Sequence, residues 1–220
     1  MELENIINYV IMAVILLFSI GLHEYAHARS ADKLGDPTPR LQWRLTMNPL
    51  KHISLIGFFA IFFIGFWRGK PVQINPTYFK KAFRDELITS LAGPVMNLLL
   101  ALIGGFFYFG YGALAGIDIN FLYDYEAIDL VTLFFGNFIT LNVTLAVFNL
   151  LPIYPLDGYR LIGLISKDIF YWIRKNATVL TFLFLIFMLT PAHIVIIRPL
   201  AYIIAKISGV ISMIFSLIFF

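Results

Sequence analysis

The residues best placed to do chemistry sit at the end of the first apolar run, in His23-Glu24-Tyr25-Ala26-His27. On a helix, positions i and i+4 share one face, so both imidazoles can reach one ion. Glu24 is displaced from that face but close enough to hold a water on the metal. Zinc lowers the pKa of such a water to about 7, and a neighbouring carboxylate can then take its proton. Random placement of the same residues would produce roughly 0.002 matches to this pattern in a chain of this composition. An ionisable side chain inside an apolar helix marks a functional site by default, and here three lie within five residues. The competing reading leaves both histidines as satisfied interfacial groups and pairs Glu24 with Arg29, an i,i+5 spacing that a helix places poorly.

Two histidines leave a catalytic zinc site one protein ligand short. The chain has no cysteine, so the third ligand comes from His52, His193 or a carboxylate. Asp157 stands out, in Asn149-Leu-Leu-Pro-Ile-Tyr-Pro-Leu-Asp157-Gly158. Pro152 and Pro155 break a helix there, and Gly158 permits unusual backbone angles. Irregular backbone at membrane depth is tolerated only inside protein or beside a watery cavity. A carboxylate on such a segment suits a ligand, although Asp157 could also cap the following helix.

The elements that must position these groups are membrane spans. Hydrophobic residues make up 60% of the 220 and charged residues 13%, against roughly 45–50% and about 25% in soluble domains. A soluble globular domain, a disordered chain and a disulfide scaffold are all excluded. Long apolar runs cover Ile6 to Ile20 (continuing to His27), Leu87 to Leu114, Ala127 to Leu151, Ala177 to Ile197 and Leu200 to Phe220. Each reaches about 20 residues or can be extended to it. The first follows Glu2 and Glu4 and lacks a cleavage signature, so it reads as a retained span. The shorter run Ile53 to Trp67 is flanked by ten of the 16 basic residues, five on each side. Short basic loops prefer the cytoplasm, so this run reads as re-entrant and the N-terminus as external. Asp157 then returns to the membrane face that holds His23 and His27. A full crossing would have sent it to the opposite face.

The sequence resembles the site-2 proteases, membrane-embedded zinc metalloproteases of peptidase family M50, in their compact prokaryotic form without PDZ or CBS domains. The matching residues are His23 to His27, Leu34-Gly35-Asp36-Pro37-Thr38, Asn48-Pro49-Leu50-Lys51-His52-Ile53, Lys70-Pro71-Val72, Ala92-Gly93-Pro94 with Asn97, and Asn149 to Gly158. The resemblance implies that His23, His27 and Asp157 bind one zinc per chain and that Glu24 is the general base. It also implies that Asn149 holds the substrate backbone or the oxyanion. Compact members often read His-Ile-Asp-Pro-Ile-Gly where this chain has His52-Ile53-Ser54-Leu55-Ile56-Gly57, so residue 54 is given no role.

Among the remaining polar residues, His52 is a candidate substrate contact or an interfacial histidine. Asn97 reads as interhelical glue, and Gly93 with Pro94 as a thinned or kinked helix start. His193, which has no partner motif, reads as structural. Arg40 to Leu45 alternates with a strand period, and Lys70 to Asn75 is short and extended. The two suggest a small cytoplasmic-side sheet whose edge accepts a substrate strand, or else a basic loop drawn to anionic lipid.

The expected fold is an all-α polytopic membrane protein of about five transmembrane helices, a re-entrant segment and a small β element. It forms a single domain over residues 1–220, with a catalytic core at about 6–160 and C-terminal helices at about 161–220. The expected activity is zinc-dependent hydrolysis of a peptide bond in or near the transmembrane segment of a membrane protein, in the inner or plasma membrane of a prokaryote. The metal faces the cytoplasmic side. Partners are the substrate and the bilayer, with no nucleic acid. The rivals are an ion or proton transporter using the same cluster, which would show an internal repeat of broken helices, and an inactive scaffold, which has no need of Glu24.

Overall fold

The computed structural model describes residues 2–52, 71–115 and 130–219. The run 53–67, read above as re-entrant, lies outside the described residues. The helices are α1 (Glu2–Lys33), α2 (Thr38–Leu41), α3 (Ala82–Leu114), α4 (Leu130–Asn149), α5 (Ile162–Ile165), α6 (Lys167–Lys175), α7 (Ala177–Leu189) and α8 (Ile194–Phe219). Single 3-10 turns cover Pro49–Lys51, Pro76–Tyr78, Asp157–Leu161 and Pro191–His193.

Four of these helices, α1, α3, α4 and α8, are long and apolar enough to cross a bilayer, which makes this an integral membrane protein. At 1.5 Å per residue, the 13 residues of α7 reach only about 20 Å, short of the roughly 30 Å hydrocarbon core. Only together with α6 does α7 qualify as a span, and the pair is bent by 82°. The sequence predicts spans over Ala177–Ile197 and Leu200–Phe220. The structure moves the break forward to Pro191, which has no N–H to continue a helix, so Ile197 and Leu200 both belong to α8.

Contacts fix the helix directions. His27 meets Thr89 and His23 meets Asn97, so α3 runs antiparallel to α1. Asn97 meets Asn142 while Phe107 stacks on Phe135, so α4 runs antiparallel to α3. Along α8, Leu200 lines the same cavity as His23 and Asp157, whereas Phe219 packs against Phe106 and Gly110 near the far end of α3. α8 therefore runs parallel to α3, starting at the site end. α6 also lies at that end, with Phe170 edge-on to Phe83 of α3.

Two packed clusters hold the frame. Ala101, Ile139, Val143, Val147, Leu200 and Ile211 join α3, α4 and α8. Tyr159, Phe170 and Ile173, with Phe83 beside them, seat α6 and the Asp157 turn on the first turn of α3. Ser166 caps α6 by accepting from the Ile169 N–H.

The expected β element is corrected. Among the described residues there is no strand. Residues 38–41 form α2 with Pro39 in its first turn, and Trp43 turns the chain at φ +57°. Proline near a helix start favours the helical angle, which overrides the short alternation from Arg40. Residues 71–75 have no ladder partner among the described residues; carboxylates hold two of their amides. The Val72 N–H donates to Glu24 Oε2 at 2.9 Å and the Asn75 N–H to Asp36 Oδ2 at 2.7 Å.

Candidate metal centre

His23 and His27 lie one turn apart on α1, with ring centroids 4.6 Å apart and planes at 81°. Asp157 arrives from a segment 130 residues later. Its Oδ2 lies 3.1 Å from His23 Nε2 and 3.2 Å from His27 Nε2, and the two Nε2 atoms are 3.0 Å apart. Among the described residues this is the group of histidine and acidic side chains that could hold a metal ion.

The surrounding hydrogen bonds determine which atoms carry protons. His27 Nδ1 lies 2.7 Å from the Thr89 carbonyl, which can only accept. His27 therefore carries its proton on Nδ1. Asn142 Nδ2 donates to the Phe138 carbonyl and to Ser19 Oγ, which turns Asn142 Oδ1 toward Asn97. Asn97 Nδ2 donates to that oxygen at 2.9 Å and so presents Oδ1 to His23 Nδ1 at 2.6 Å. His23 must likewise donate from Nδ1. In the neutral rings both Nε2 lone pairs then face the Asp157 carboxylate. Three acceptors converge with no proton between them, and a cation resolves that repulsion. Tetrahedral zinc with bonds of 2.0–2.1 Å spaces its ligands about 3.3 Å apart, close to the separations seen here. A hydrogen-bond acceptor on the ring nitrogen away from the metal, as Thr89 and Asn97 supply here, is usual for metal-bound histidines.

Asp157 opens a 3-10 turn whose N-cap is Leu156, so Asp157 is not the capping residue. The turn is seated by close backbone approach: a Cβ on Gly158 would lie 2.3 Å from the Leu150 carbonyl oxygen.

α3 supplies the rest of the support from one face, through Glu86, Ser90, Gly93 and Asn97 at i, i+4, i+7 and i+11. A Cβ on Gly93 would lie 2.4 Å from His27 Nε2 and 2.6 Å from His23 Nε2, so only glycine leaves room for both rings. Pro94 offers no N–H to the Ser90 carbonyl, loosening the helix beside the Thr89 carbonyl that holds His27.

The site opens into a cavity of about 690 Å³ lined by residues of α1, α4, α7 and α8 and by the extended segment at 71–74. Glu24 lines it, held by Val72 rather than by Arg29, whose partner is Asp32 at 3.6 Å. Asn149 also lines the cavity, with Nδ2 donating to the Leu145 carbonyl. His52 does not line it; it is fully buried elsewhere, with Nε2 2.9 Å from the Thr46 carbonyl. Asn97, read as glue, bridges helices and also orients His23. Sequence reasoning missed Ser19, Ser90, Glu86, Asn142 and Arg160. The polar and small stripe on α3 was the available signal.

Comparison with known proteins finds relatives named as zinc metalloproteases. "Putative zinc metalloprotease YwhC" of Bacillus subtilis is 35% identical over 195 residues, covering 86% of this chain and 84% of that protein. "Putative zinc metalloprotease Rip2" of Mycolicibacterium smegmatis is 37% identical over 150 residues, and its namesake in Mycobacterium tuberculosis 34% over 151. The chain spans about half the length of these mycobacterial relatives, 52% in each case. No solved structure matches. The family model for peptidase family M50 matches residues 11–190. With most of its length accounted for in this way, the chain belongs to peptidase family M50.

Proposed function

We propose that this metalloprotease acts inside the membrane in the manner of a site-2 protease, cutting a peptide bond within or near a substrate's transmembrane segment. One observation carries the reading: three metal-type acceptors converge beside Glu24 on a cavity inside a bundle of membrane spans. His23, His27 and Asp157 would hold one zinc. When bound, zinc polarises a carbonyl and makes a water acidic near neutral pH. The Val72 N–H fixes one oxygen of Glu24. The other oxygen is assigned the proton of the attacking water, which Glu24 then passes to the leaving amine. Asn149 spends one amide hydrogen on Leu145 and keeps its Oδ1 and second N–H for the substrate backbone. The apolar cavity walls admit an unwound stretch of substrate and keep bulk water sparse. A helical peptide bond is shielded by its own hydrogen bonds, so the substrate must be extended there.

The whole chain is assigned to one unit, with residues 6–160 carrying the chemistry. The basic residues around 29–84 support a site facing the cytoplasmic side of a prokaryotic plasma membrane.

The test is cleavage of a single-span substrate in proteoliposomes, with the cut mapped by mass spectrometry. Glu24→Gln should lower kcat by about 10²–10⁴-fold, the usual share of a general base, and keep its metal. Equal cleavage by Glu24→Gln, or cuts confined to soluble segments, would contradict the proposal.

A further inference from the structure

Asp157 is the one proposed ligand that does not sit on a spanning helix, and its backbone needs an anchor of its own. Ser90 Oγ donates to the Asp157 carbonyl at 2.6 Å. Arg160, three residues on, reaches back to the same face of α3, with Nη1 3.5 Å from Ser90 Oγ and Nε 3.1 Å from Glu86 Oε1. The second oxygen of Glu86 accepts from Arg174 Nη1 of α6 at 2.9 Å. Glu86 is buried, so both of its oxygens are committed and its charge is compensated from two sides. The Arg160 guanidinium also lies 4.8 Å from the centre of the Tyr159 ring, which limits its swing.

We infer that Glu86, Arg160 and Ser90 are positioning residues that lock the Asp157 carboxylate against the two imidazoles. The inference rests on the proposed metal site and concerns how the third ligand is kept in place. A buried carboxylate gripped by two arginines is costly to leave half paired, so the turn has one favoured seat on α3. Because Arg174 belongs to α6, the same lock ties the ligand turn to the helix that carries exposed Ile169, Tyr171 and Trp172. A lysine cannot replace Arg160 fully, since a point charge does not engage Glu86 and Ser90 together as a planar fork does.

The test is zinc affinity by chelator competition on detergent-purified protein, with thermal unfolding as the check on folding. Arg160→Gln and Glu86→Gln should each weaken zinc binding 10–100-fold, as the loss of an outer-shell partner does. The double variant should be little worse than the weaker single, because the residues act as one network. Arg160→Lys should fall between wild type and Arg160→Gln. Lys167→Gln, on α6 outside the network, should leave affinity unchanged. Ser90→Ala removes one hydroxyl and no charge, and gives the same reading if Arg160→Gln fails to fold. Affinity within twofold of wild type in folded Arg160→Gln or Ser90→Ala overturns the inference alone. An equal loss in Lys167→Gln also overturns it, because surface charge would then be the cause. A wild-type protein that takes up no zinc overturns the metal site and this inference together.

Discussion

α3 and α8 run in the same direction, carry an interior proline each, and have nearly equal mean hydropathies of 1.9 and 2.0 in their most apolar windows. Their surroundings differ. In α3, 44% of that window is buried, against 11% in α8. The buried face of α3 carries Glu86, Ser90, Gly93 and Asn97, all engaged with the proposed ligands or their supports. α8 meets α3 through rings over glycines, with Phe215 against Gly105 and Phe219 against Gly110. Hydropathy therefore identifies both as spans and does not separate the helix that builds the site from the one that walls it. The spacing of small and polar residues does.

Glycine substitutions break this comparison most sharply. In Gly93→Ala the new methyl lies 2.4 Å from the His27 ring and 2.6 Å from the His23 ring, far inside van der Waals contact, so the rings must move. Zinc binding and proteolysis should each fall by about 10²-fold or more, the cost of misplacing reacting groups by an ångström, read by chelator competition and turnover. Asn97→Ala removes the acceptor that orients His23 and should weaken zinc 10–100-fold, measured in the same way. Gly105→Ala drives a methyl into the Phe215 ring, 2.6 Å away. It should lower stability by about 1–3 kcal/mol in detergent unfolding while zinc affinity holds. Gly209→Ala on α8 meets nothing within 4 Å and should stay within about 0.5 kcal/mol of wild type. If Gly209→Ala harmed zinc binding as much as Gly93→Ala, the division between the two helices would collapse.

Much of this was legible in the sequence, for reasons particular to each residue. The i,i+4 histidines declare their common face whatever the tertiary fold, and the prolines before Asp157 declare a broken segment. Five apolar runs announced a membrane bundle, and the family resemblance followed from motifs spread along it. The support for His27 was not legible, because it is a backbone carbonyl, Thr89, and any residue type could supply one. Ser90 and Arg160 look ordinary until the Asp157 turn folds onto α3. The strand reading at 40–45 failed because Pro39 sets a helical turn, and among the described residues the six-residue alternation meets no strand edge. The boundary between α7 and α8 was misplaced because hydropathy runs unbroken through Pro191, where the backbone does not.

The central claim is that two segments 130 residues apart hold a single ion. Metal content by mass spectrometry tests it directly, on folded detergent-purified wild type, His23→Ala and Asp157→Ala. The account predicts about one zinc per chain in wild type and little or none in either variant. Zinc retained in Asp157→Ala, or none in wild type after zinc is resupplied, would contradict it.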